Sequence, residues 1–406
     1  MLDTILLATA LLSLIGWMHL RWRHGGFWRS DQRLPGDHAT PSHWPRVTAI
    51  VPARNEEGGI GRAVRSLLAQ DYPGPFSIVV VDDNSTDDTA GEATRAAAGD
   101  PRLVVATGAP LSKRWSGKLW AVHQGERIAL TSAPDSEFLL LTDADIEHDS
   151  GNLRRLVAVA QSEGRDLVSL MVWLRCETFW ERLLVPPFIF FFQKLYPFPR
   201  VNDTARPEAA AAGGCMLVRA TALHQAGGIA ALRGHLIDDC ALAARIKRQP
   251  GSIWLGLCDR TRSLRPYSRL RDVWSMVART AFTQLDHSGG KLLATIAGML
   301  VLYATPPLAV LFWLAGGSGH AAALGTGAWA LMAASFAPTL QLYRLSQAWS
   351  LMLPVAACLY ILMTVDSARL SWQGRGGVWK GRSFDADAMA GTSRKPASLT
   401  ETAGRQ

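Results

Sequence analysis

Cysteine is scarce in this sequence, and no two cysteines are spaced as C-x-x-C. The 406 residues include five cysteines, an odd number at wide spacing: Cys176, Cys215, Cys240, Cys258 and Cys358. A disulfide framework or a structural zinc site normally needs paired or closely spaced cysteines. We therefore expect neither, and we expect the soluble part of the chain to lie in a reducing compartment.

Three motifs of nucleotide-binding and metal enzymes are also missing. The sequence contains no G-x-G-x-x-G, no G-x-x-x-x-G-K-[ST] and no H-E-x-x-H. The first two absences argue against a Rossmann dehydrogenase and a P-loop kinase. The third means that a common helical zinc-binding motif is not present.

Charged residues are few and unevenly placed. They make up 19% of the chain, less than in a typical soluble protein, and 42 basic residues against 34 acidic ones give a net charge of +8. Apolar residues concentrate near both ends, and many basic residues flank those apolar segments. This arrangement indicates membrane segments around a soluble middle, with the basic excess directed at a membrane surface rather than at nucleic acid.

The N-terminal segment has the length of a membrane span. Residues 2–20 are mostly apolar, and about 20 such residues cross a bilayer. No basic stretch precedes the segment and no small-residue cleavage site follows it, so we do not expect a removed signal peptide. Four arginines come next: Arg21, Arg23, Arg29 and Arg33. The positive-inside rule then places the middle of the chain in the cytoplasm and the N-terminus outside.

Three further apolar stretches, at 292–314, 321–342 and 351–365, follow Lys291. The first two have the length of spanning helices, and Pro306 and Pro307 are expected to kink the first. The third is short and contains Pro354. If all three of these stretches crossed, the basic tail would lie outside, so we favour a cytoplasmic tail and a third stretch that does not fully cross.

Between residues 46 and 284, short apolar runs alternate with segments of helical periodicity. This pattern predicts an α/β fold with a mostly parallel sheet and helices on both faces. Strands are predicted at 47–51, 78–81, 103–106, 138–141 and 167–172, and helices at 56–70, 86–98, 118–130 and 152–162. Ligands of such sheets bind beyond the carboxyl ends of the strands, where acidic residues repeatedly stand in this chain.

Asp143 and Asp145 form D-A-D directly after the fourth predicted strand. In extended chain, residues two apart point to the same side. Mg²⁺ is commonly held by one or two carboxylates completed by water and phosphate oxygens, and the metal would help a diphosphate to leave. D-x-D alone is a weak motif, but its position after a buried strand supports a divalent-metal site.

Asp82 and Asp83 end the second predicted strand. A carboxylate in this position can accept a hydrogen bond from a nucleobase or a ribose hydroxyl. We assign ligand contact first to Asp83 and second to Asp82. The residues that follow also favour a helix cap, with Ser85 or Thr86 at the cap and two more aspartates in the first turn.

Asp238 and Asp239 begin a segment with helical apolar spacing. Carboxylates at a helix N-terminus stabilise the helix dipole, which is sufficient reason for their presence. They are also candidates for a general base that takes a proton from an acceptor hydroxyl. The residues alone leave both interpretations open.

Several candidate substrate-binding residues lie in loops at strand or helix ends. Pro52, Ala53 and Glu56 belong to P-A-R-N-E-E after the first strand, and Lys118 belongs to S-G-K-L-W before a helix. Such loops present backbone groups to nucleotides, and lysine meets phosphate, although each is more often a solvated turn. Gly214, in G-G-C, indicates either a close approach of the backbone to a ligand or a turn.

The segment 185–199 is aromatic and contains four prolines. It is too irregular for a membrane span. It fits a membrane interface, where aromatic side chains collect, and an ordinary core segment equally well.

Together, these motifs resemble those of family 2 glycosyltransferases. V-P-A-R-N-E-E, V-V-D-D-N-S-T-D-D-T, G-K-L-W-A, L-L-T-D-A-D, A-G-G-C-M-L and I-D-D occur in the family's order and spacing across residues 46–284. With R-W-S-G-K-L-W-A, V-A-R-T-A-F-T-Q-L and the apolar ends, the chain is similar in particular to the hopene-associated glycosyltransferases of hopanoid gene clusters.

The resemblance implies a GT-A fold and an inverting transfer from a nucleotide-sugar to a lipid acceptor of hopanoid type. It places the catalytic domain on the cytoplasmic face of the inner membrane. It implies that Asp83 contacts the nucleobase and that Asp143 and Asp145 hold Mg²⁺ or Mn²⁺. Asp239 is then the catalytic base, and Asp238 stands where the family usually has glutamate.

The chain also departs from the family at a second motif. Many membrane members carry Q-x-x-R-W, whereas this chain has M-V-A-R-T, in which only Arg279 matches. The departure argues against a polysaccharide synthase, where the motif helps to hold a growing chain, and favours transfer of a single sugar. A non-catalytic scaffold for lipid-biosynthesis enzymes is the other alternative, and the retained D-A-D and I-D-D argue against it.

The predicted organisation has four parts. They are an N-terminal anchor at 1–22, a GT-A catalytic domain at 46–284, a C-terminal membrane region at 291–366 and a disordered tail at 385–406. The predicted partners are a nucleotide-sugar, a lipid acceptor and the membrane, and not nucleic acid.

Overall fold

The computed structural model describes residues 1–34, 41–376 and Lys380. The predicted tail at 385–406 lies outside these residues. One eight-stranded sheet forms the centre of the α/β domain. Its strands are β1 Val47–Ala53, β2 Phe76–Asp82, β3 Leu103–Thr107, β4 Phe138–Thr142, β5 Ile146–Glu147, β6 Leu167–Trp173, β7 Cys215–Arg219 and β8 Ile253–Ser263.

The strand order is β3-β2-β1-β4-β7-β6-β8-β5. Strands β1 to β4 run parallel, and β8 runs parallel to β6. β7 runs antiparallel between β4 and β6, and the short β5 runs antiparallel to β8. The parallel prediction is therefore confirmed for the first four strands, while the second half of the sheet is mixed.

Helices cover the sheet because its strands are apolar on both faces. Every residue of β1 and β4 is buried, as expected for strands between two layers of helices. The helices of this domain are α2 Ile60–Leu68, α3 Thr89–Ala97, α4 Gly117–Ser132, α5 Asn152–Ser162, α6 Phe179–Leu195, α7 Phe198–Val201, α8 Ala220–Gln225, α9 Asp238–Arg248 and α10 Leu270–Ala278. Gly125 lets α4 approach β1 closely, since a Cβ there would lie 2.4 Å from Ile50 Cγ2.

Helix α6 contains most of the segment 185–199, which is more regular than its prolines suggested but is not among the candidate membrane spans of the described residues. It continues through Pro186 and Pro187, which lie inside the helix. A capping box starts it, in which Thr178 and Glu181 satisfy each other's backbone N–H groups. Glu181 also accepts from Tyr267 N at 2.9 Å, which ties the start of α6 to the segment before α10.

The remaining long helices are apolar and pack together. They are α1 Leu2–Trp22, α11 Gly289–Met299, α12 Thr305–Leu314, α13 Gly319–Leu342 and α14 Leu353–Trp372, with a π-helical turn at Leu300–Ala304 between α11 and α12. Among the described residues, four helical segments are long and apolar enough to cross a membrane: Leu2–Trp22, Gly289–Leu314, Gly319–Leu342 and Gln347–Trp372. The π-helical turn lies just before Pro306, where a kink was predicted.

Helix α14 differs from the other three candidate spans in where its ends lie. The turn before it brings Trp349 to 5.9 Å from Phe179, the first residue of α6 (ring centroids). Near its other end, Ser367 Oγ accepts from Phe282 N at 3.0 Å, just beyond α10. Both ends of α14 therefore contact the α/β domain or its immediate continuation.

Candidate active site

A cavity of about 280 Å³ opens at the carboxyl ends of β1 and β4. Most of the residues proposed from the sequence line it: Pro52, Glu56, Lys118, Asp143, Asp145, Gly214, Asp238, Asp239 and Arg279. They come from segments far apart in the chain. The parallel order of β1 and β4 brings their ends to the same edge of the sheet.

Asp143 and Asp145 reach the cavity through a turn and not through extended chain. β4 ends at Thr142, and Ile146 N donates to Asp143 O across the turn at 3.3 Å. The argument from strand alternation was therefore wrong in its geometry, although both side chains do line one cavity. Asp143 pairs with Lys118 (2.9 Å), and Asp145 pairs with Arg265 (2.8 Å).

Lys118 connects the two acidic groups of the cavity. It lies in the first turn of α4, which Ser116 caps by accepting from Leu119 N. Its ammonium lies 2.9 Å from Asp143 Oδ1 and 3.7 Å from Asp238 Oδ2. Burial alone would lower the pKa of Lys118, but the neighbouring carboxylates outweigh burial and raise it, so the side chain stays charged.

Asp239 is a half-buried carboxylate of the cavity wall. Its Oδ2 accepts from Gly213 N at 2.9 Å, and its Oδ1 accepts from Cys240 N at 2.7 Å. Gly213 has little room for a side chain, since a Cβ there would lie 3.3 Å from Lys118 Nζ and 3.4 Å from Asp239 Oδ2. Burial, followed by the charge of Asp238, raises the pKa of Asp239 to about 6. A carboxylate with a raised pKa is a better proton acceptor near neutral pH.

This raised pKa predicts how activity depends on pH. Only the ionised form of Asp239 can accept a proton, so kcat/KM should rise with pH and level off above about 6. Below that point, the rate should fall about tenfold per pH unit. Initial rates measured from about pH 4.5 to 8 at constant ionic strength check this. A flat profile, with donor binding unchanged by pH, would exclude Asp239 as the base.

Asp82, Asp83 and Ala53 do not line the cavity, although Ala53 directly follows Pro52, which does. Asp83 is fully buried, and its N–H donates to Ala53 O at 2.8 Å. Asp82 accepts from the Ser85 hydroxyl and backbone N–H. The predicted cap was misplaced, because α3 begins at Thr89 and Asp88 is its N-cap residue.

Residues that the sequence did not single out complete the cavity. Arg265 is the main one, since it contacts Glu56 (2.9 Å) as well as Asp145. Tyr267 and His235 also line the cavity. The sequence signal for His235 was its proximity to I-D-D, which begins two residues after it.

Lys380, beyond the last helix, also reaches this region. Its ammonium lies 2.8 Å from Glu56 Oε1 and 3.0 Å from Asn55 O. Glu56 therefore holds two cations, Arg265 and Lys380, at the end of β1. Burial, the largest influence, raises the pKa of Glu56, while the two cations oppose that shift.

The carboxylate oxygens that face the cavity suit a divalent cation that also binds phosphate. Among the described residues, no three His, Cys, Asp or Glu side chains group into a metal site. Asp143 and Asp145 nevertheless offer two hard oxygen ligands, which is the number that Mg²⁺ often takes when phosphate and water complete its shell. The residues therefore suit a cation held jointly with a nucleoside diphosphate.

Comparisons with known proteins agree with this geometry. Residues 48–227 match the family model Glycosyl transferase family 2. The chain is 37% identical over 126 residues to the beta-monoglucosyldiacylglycerol synthase of Synechocystis sp., covering 30% of this chain and 24% of that protein. It is 35% identical over 100 residues to the 4,4'-diaponeurosporenoate glycosyltransferase of Staphylococcus aureus, covering 25% of this chain and 24% of that one. These alignments span about a quarter of each relative.

A solved structure shares the fold over most of the chain. The mannosyltransferase PcManGT of Pyrobaculum calidifontis, in complex with GDP-Man and Mn²⁺, superposes with a TM-score of 0.54 at 21% identity. The match covers 87% of this chain and 99% of that one. The fold is therefore GT-A-like, with apolar helices added at both ends.

Proposed function

We propose that this protein is a membrane-bound inverting glycosyltransferase that moves one sugar from a nucleotide-sugar to a lipid acceptor of hopanoid type. One observation carries the proposal. A single cavity contains the D-A-D carboxylates, a half-buried candidate base and an apolar wall that also packs against the membrane-type helices.

The donor end of the cavity suits a nucleoside diphosphate. Asp143 and Asp145 are the residues that would hold Mg²⁺ or Mn²⁺. That cation neutralises charge on the departing diphosphate. Lys118 and Arg265 are cations that hold these carboxylates in place and face the same space. Asp83, at the end of the neighbouring strand β2, is our candidate for the nucleobase contact.

The acceptor end supplies the base. In the proposed step, Asp239 takes the proton of the acceptor hydroxyl as its oxygen bonds to the anomeric carbon. The bond from that carbon to the diphosphate breaks at the same time, and the nucleoside diphosphate leaves with the bonding electrons. Attack on the face opposite the leaving group inverts the anomeric centre, as one displacement requires.

Helix α6 supports a lipid acceptor. Phe188 and Phe192, four residues apart and so on one helix face, line the cavity. Phe190 points elsewhere and packs against Phe336 of α13 (ring centroids 5.2 Å) and Trp17 of α1 (6.5 Å). The same helix therefore forms a wall of the cavity and a contact of the apolar bundle. An acceptor with an apolar body and one hydroxyl suits this arrangement.

The ends of the helices support a topology with three crossings. We infer that α1, the α11–α12 unit and α13 cross the membrane. α14 stays on the side of the α/β domain, because both its ends contact that domain or its continuation. The tail then lies on the same side, in agreement with the contact between Lys380 and Glu56. By the positive-inside rule this side is the cytoplasm, and the membrane is the inner membrane.

Lys380 provides a test of the donor end. We expect Lys380→Ala to raise the KM for the nucleotide-sugar on the order of tenfold, because it removes one of the two charged hydrogen bonds, each worth about 1.5–3 kcal/mol, that hold Glu56 in the cavity wall. The turnover number should change less. Arg375→Ala, which removes an exposed cation of the same segment, is the matched control. Equal KM values for both variants and the wild type would show that Lys380 does not contribute to binding of the nucleotide-sugar.

The acceptor is tested by looking for the product. Full-length protein in detergent is incubated with radiolabelled nucleotide-sugars and lipid extracts from hopanoid-producing and hopanoid-free bacteria. We expect label in the organic phase only with the hopanoid-containing extract. Equal transfer with both extracts would retain a lipid transferase but reject the hopanoid acceptor. Label found only in water-soluble products would reject the lipid acceptor altogether.

A further inference from the structure

Three buried side chains and the carbonyl of Gly214, a cavity-lining residue, form a hydrogen-bonded series. Asn152 Nδ2 lies 3.0 Å from His148 Nδ1, His148 Nε2 lies 2.9 Å from Thr142 Oγ1, and Thr142 Oγ1 lies 2.8 Å from Gly214 O. The side chains of Asn152, Thr142 and His148 come from residues that are 0%, 2% and 5% exposed. Water therefore does not compete for these bonds.

The direction of each bond follows from the carbonyl at the end of the series. Gly214 O has no hydrogen, so the Thr142 hydroxyl donates to it. That hydroxyl must then accept from His148, which places the imidazole proton on Nε2. His148 Nδ1 consequently has no proton and accepts from the Asn152 amide. Burial lowers the pKa of His148 to about 4, so the imidazole stays neutral and keeps one tautomer at physiological pH.

The series lies where two functional turns separate. β4 and β7 pair antiparallel as far as Thr142 and Cys215, and there the ladder ends. Beyond it, one chain turns to Asp143 and Asp145. The other chain is the Gly213–Gly214 turn, whose Gly213 N–H donates to Asp239. The Thr142 hydroxyl therefore adds one side-chain hydrogen bond past the end of the ladder, between these turns.

We propose that His148 is a positioning residue, which orients the Thr142 hydroxyl toward Gly214 and so fixes the D-A-D turn relative to the turn that holds Asp239. The assignment of D-A-D as metal-binding and of Asp239 as the base rests on the proposed function. His148 itself touches neither set of carboxylates. Hydrogen bonds behind metal ligands commonly set their orientation, and their loss weakens metal binding about 10- to 100-fold.

Two pairs of variants distinguish the loss of a hydrogen bond in the series from the loss of side-chain packing. Thr142→Val keeps the side-chain volume but removes the hydroxyl, whereas Thr142→Ser keeps the hydroxyl. His148→Gln keeps a donor nitrogen near Nε2, whereas His148→Leu has none. Binding of Mn²⁺ alone to the full-length protein, followed by the loss of the free Mn²⁺ electron paramagnetic resonance signal, is the measurement. Melting temperatures show which variants are folded.

We expect Thr142→Val and His148→Leu to weaken Mn²⁺ binding about 10- to 100-fold. Thr142→Ser and His148→Gln should restore most of it. Folded Thr142→Val protein that binds Mn²⁺ as tightly as the wild type would overturn the proposal.

A second measurement does not depend on metal or on any variant folding. Nitrogen-15 spectra of histidine-labelled wild-type protein report which imidazole nitrogen carries the proton. We expect one histidine to be a neutral Nε2–H tautomer that stays neutral at about pH 5, below the ordinary histidine pKa of about 6.5. Absence of such a histidine would overturn the series. If the tautomer is found but wild-type protein binds no Mn²⁺, the metal role in the proposed function fails while the hydrogen-bonded series stands.

Discussion

Asp239→Asn is expected to lower the rate of sugar transfer about 10²- to 10⁴-fold, the range associated with loss of a general base. Asparagine has nearly the same shape as aspartate but cannot take a proton from a hydroxyl. Binding of the nucleotide-sugar should change little, because Asp239 lies at the acceptor end of the cavity in our account. Steady-state kinetics and a separate donor-binding titration measure the two effects.

Asp238→Asn is the matched comparison for this variant. It removes the same charge one residue earlier, also at the start of α9 and in the cavity wall. Asp238 forms a long ion pair with Lys118 at 3.7 Å, whereas Asp239 accepts two backbone N–H groups that fix its carboxylate. We expect a smaller loss for Asp238→Asn. A loss as large as that of Asp239→Asn would mean that the two acids act as a pair.

Asp145→Ala is expected to reduce transfer at least about 100-fold and to remove its dependence on Mn²⁺ or Mg²⁺, because a bound metal supplies several kcal/mol of charge stabilisation. A chelator should reduce wild-type activity to a similar level. Both losses follow if Asp145 is a metal ligand. The chelator should therefore cause no further loss of activity in the Asp145→Ala variant.

Glu147→Gln is the control for Asp145→Ala. Glu147 lies two residues further along the chain and pairs with Arg62 at 2.8 Å on the exposed surface. Its replacement should leave both the activity and the metal dependence unchanged. If Glu147→Gln were as damaging as Asp145→Ala, the loss would reflect disturbance of the turn and not removal of a metal ligand.

The sequence predicted the central part of the fold because its signals there are local. β1, β2 and β4 are continuous apolar runs followed directly by polar residues, and all were placed within two residues of their observed limits. The same local pattern placed Asp143 and Asp239 at element ends. Parallel pairing then brought those ends together.

The features that were missed depend on contacts distant in the chain. α6 contains two prolines, which locally disfavour a helix, but it is anchored by Glu181 and packed against α13 and α14. Arg265 looked like one of several surface cations, and only the fold shows that it contacts Asp145 across the cavity. The position of both ends of α14 likewise follows from Phe179 and Phe282, which no local pattern indicates.

Release of a nucleoside diphosphate by the purified full-length protein tests the central claim most directly. A panel of nucleotide-sugars is supplied with Mn²⁺ or Mg²⁺, with a chelator, and with or without a bacterial lipid extract. Our account predicts release from at least one donor that requires the metal and is stimulated by the lipid. No release from any donor, from protein shown to be folded and given the full extract, would contradict it and favour a non-catalytic scaffold on the same fold.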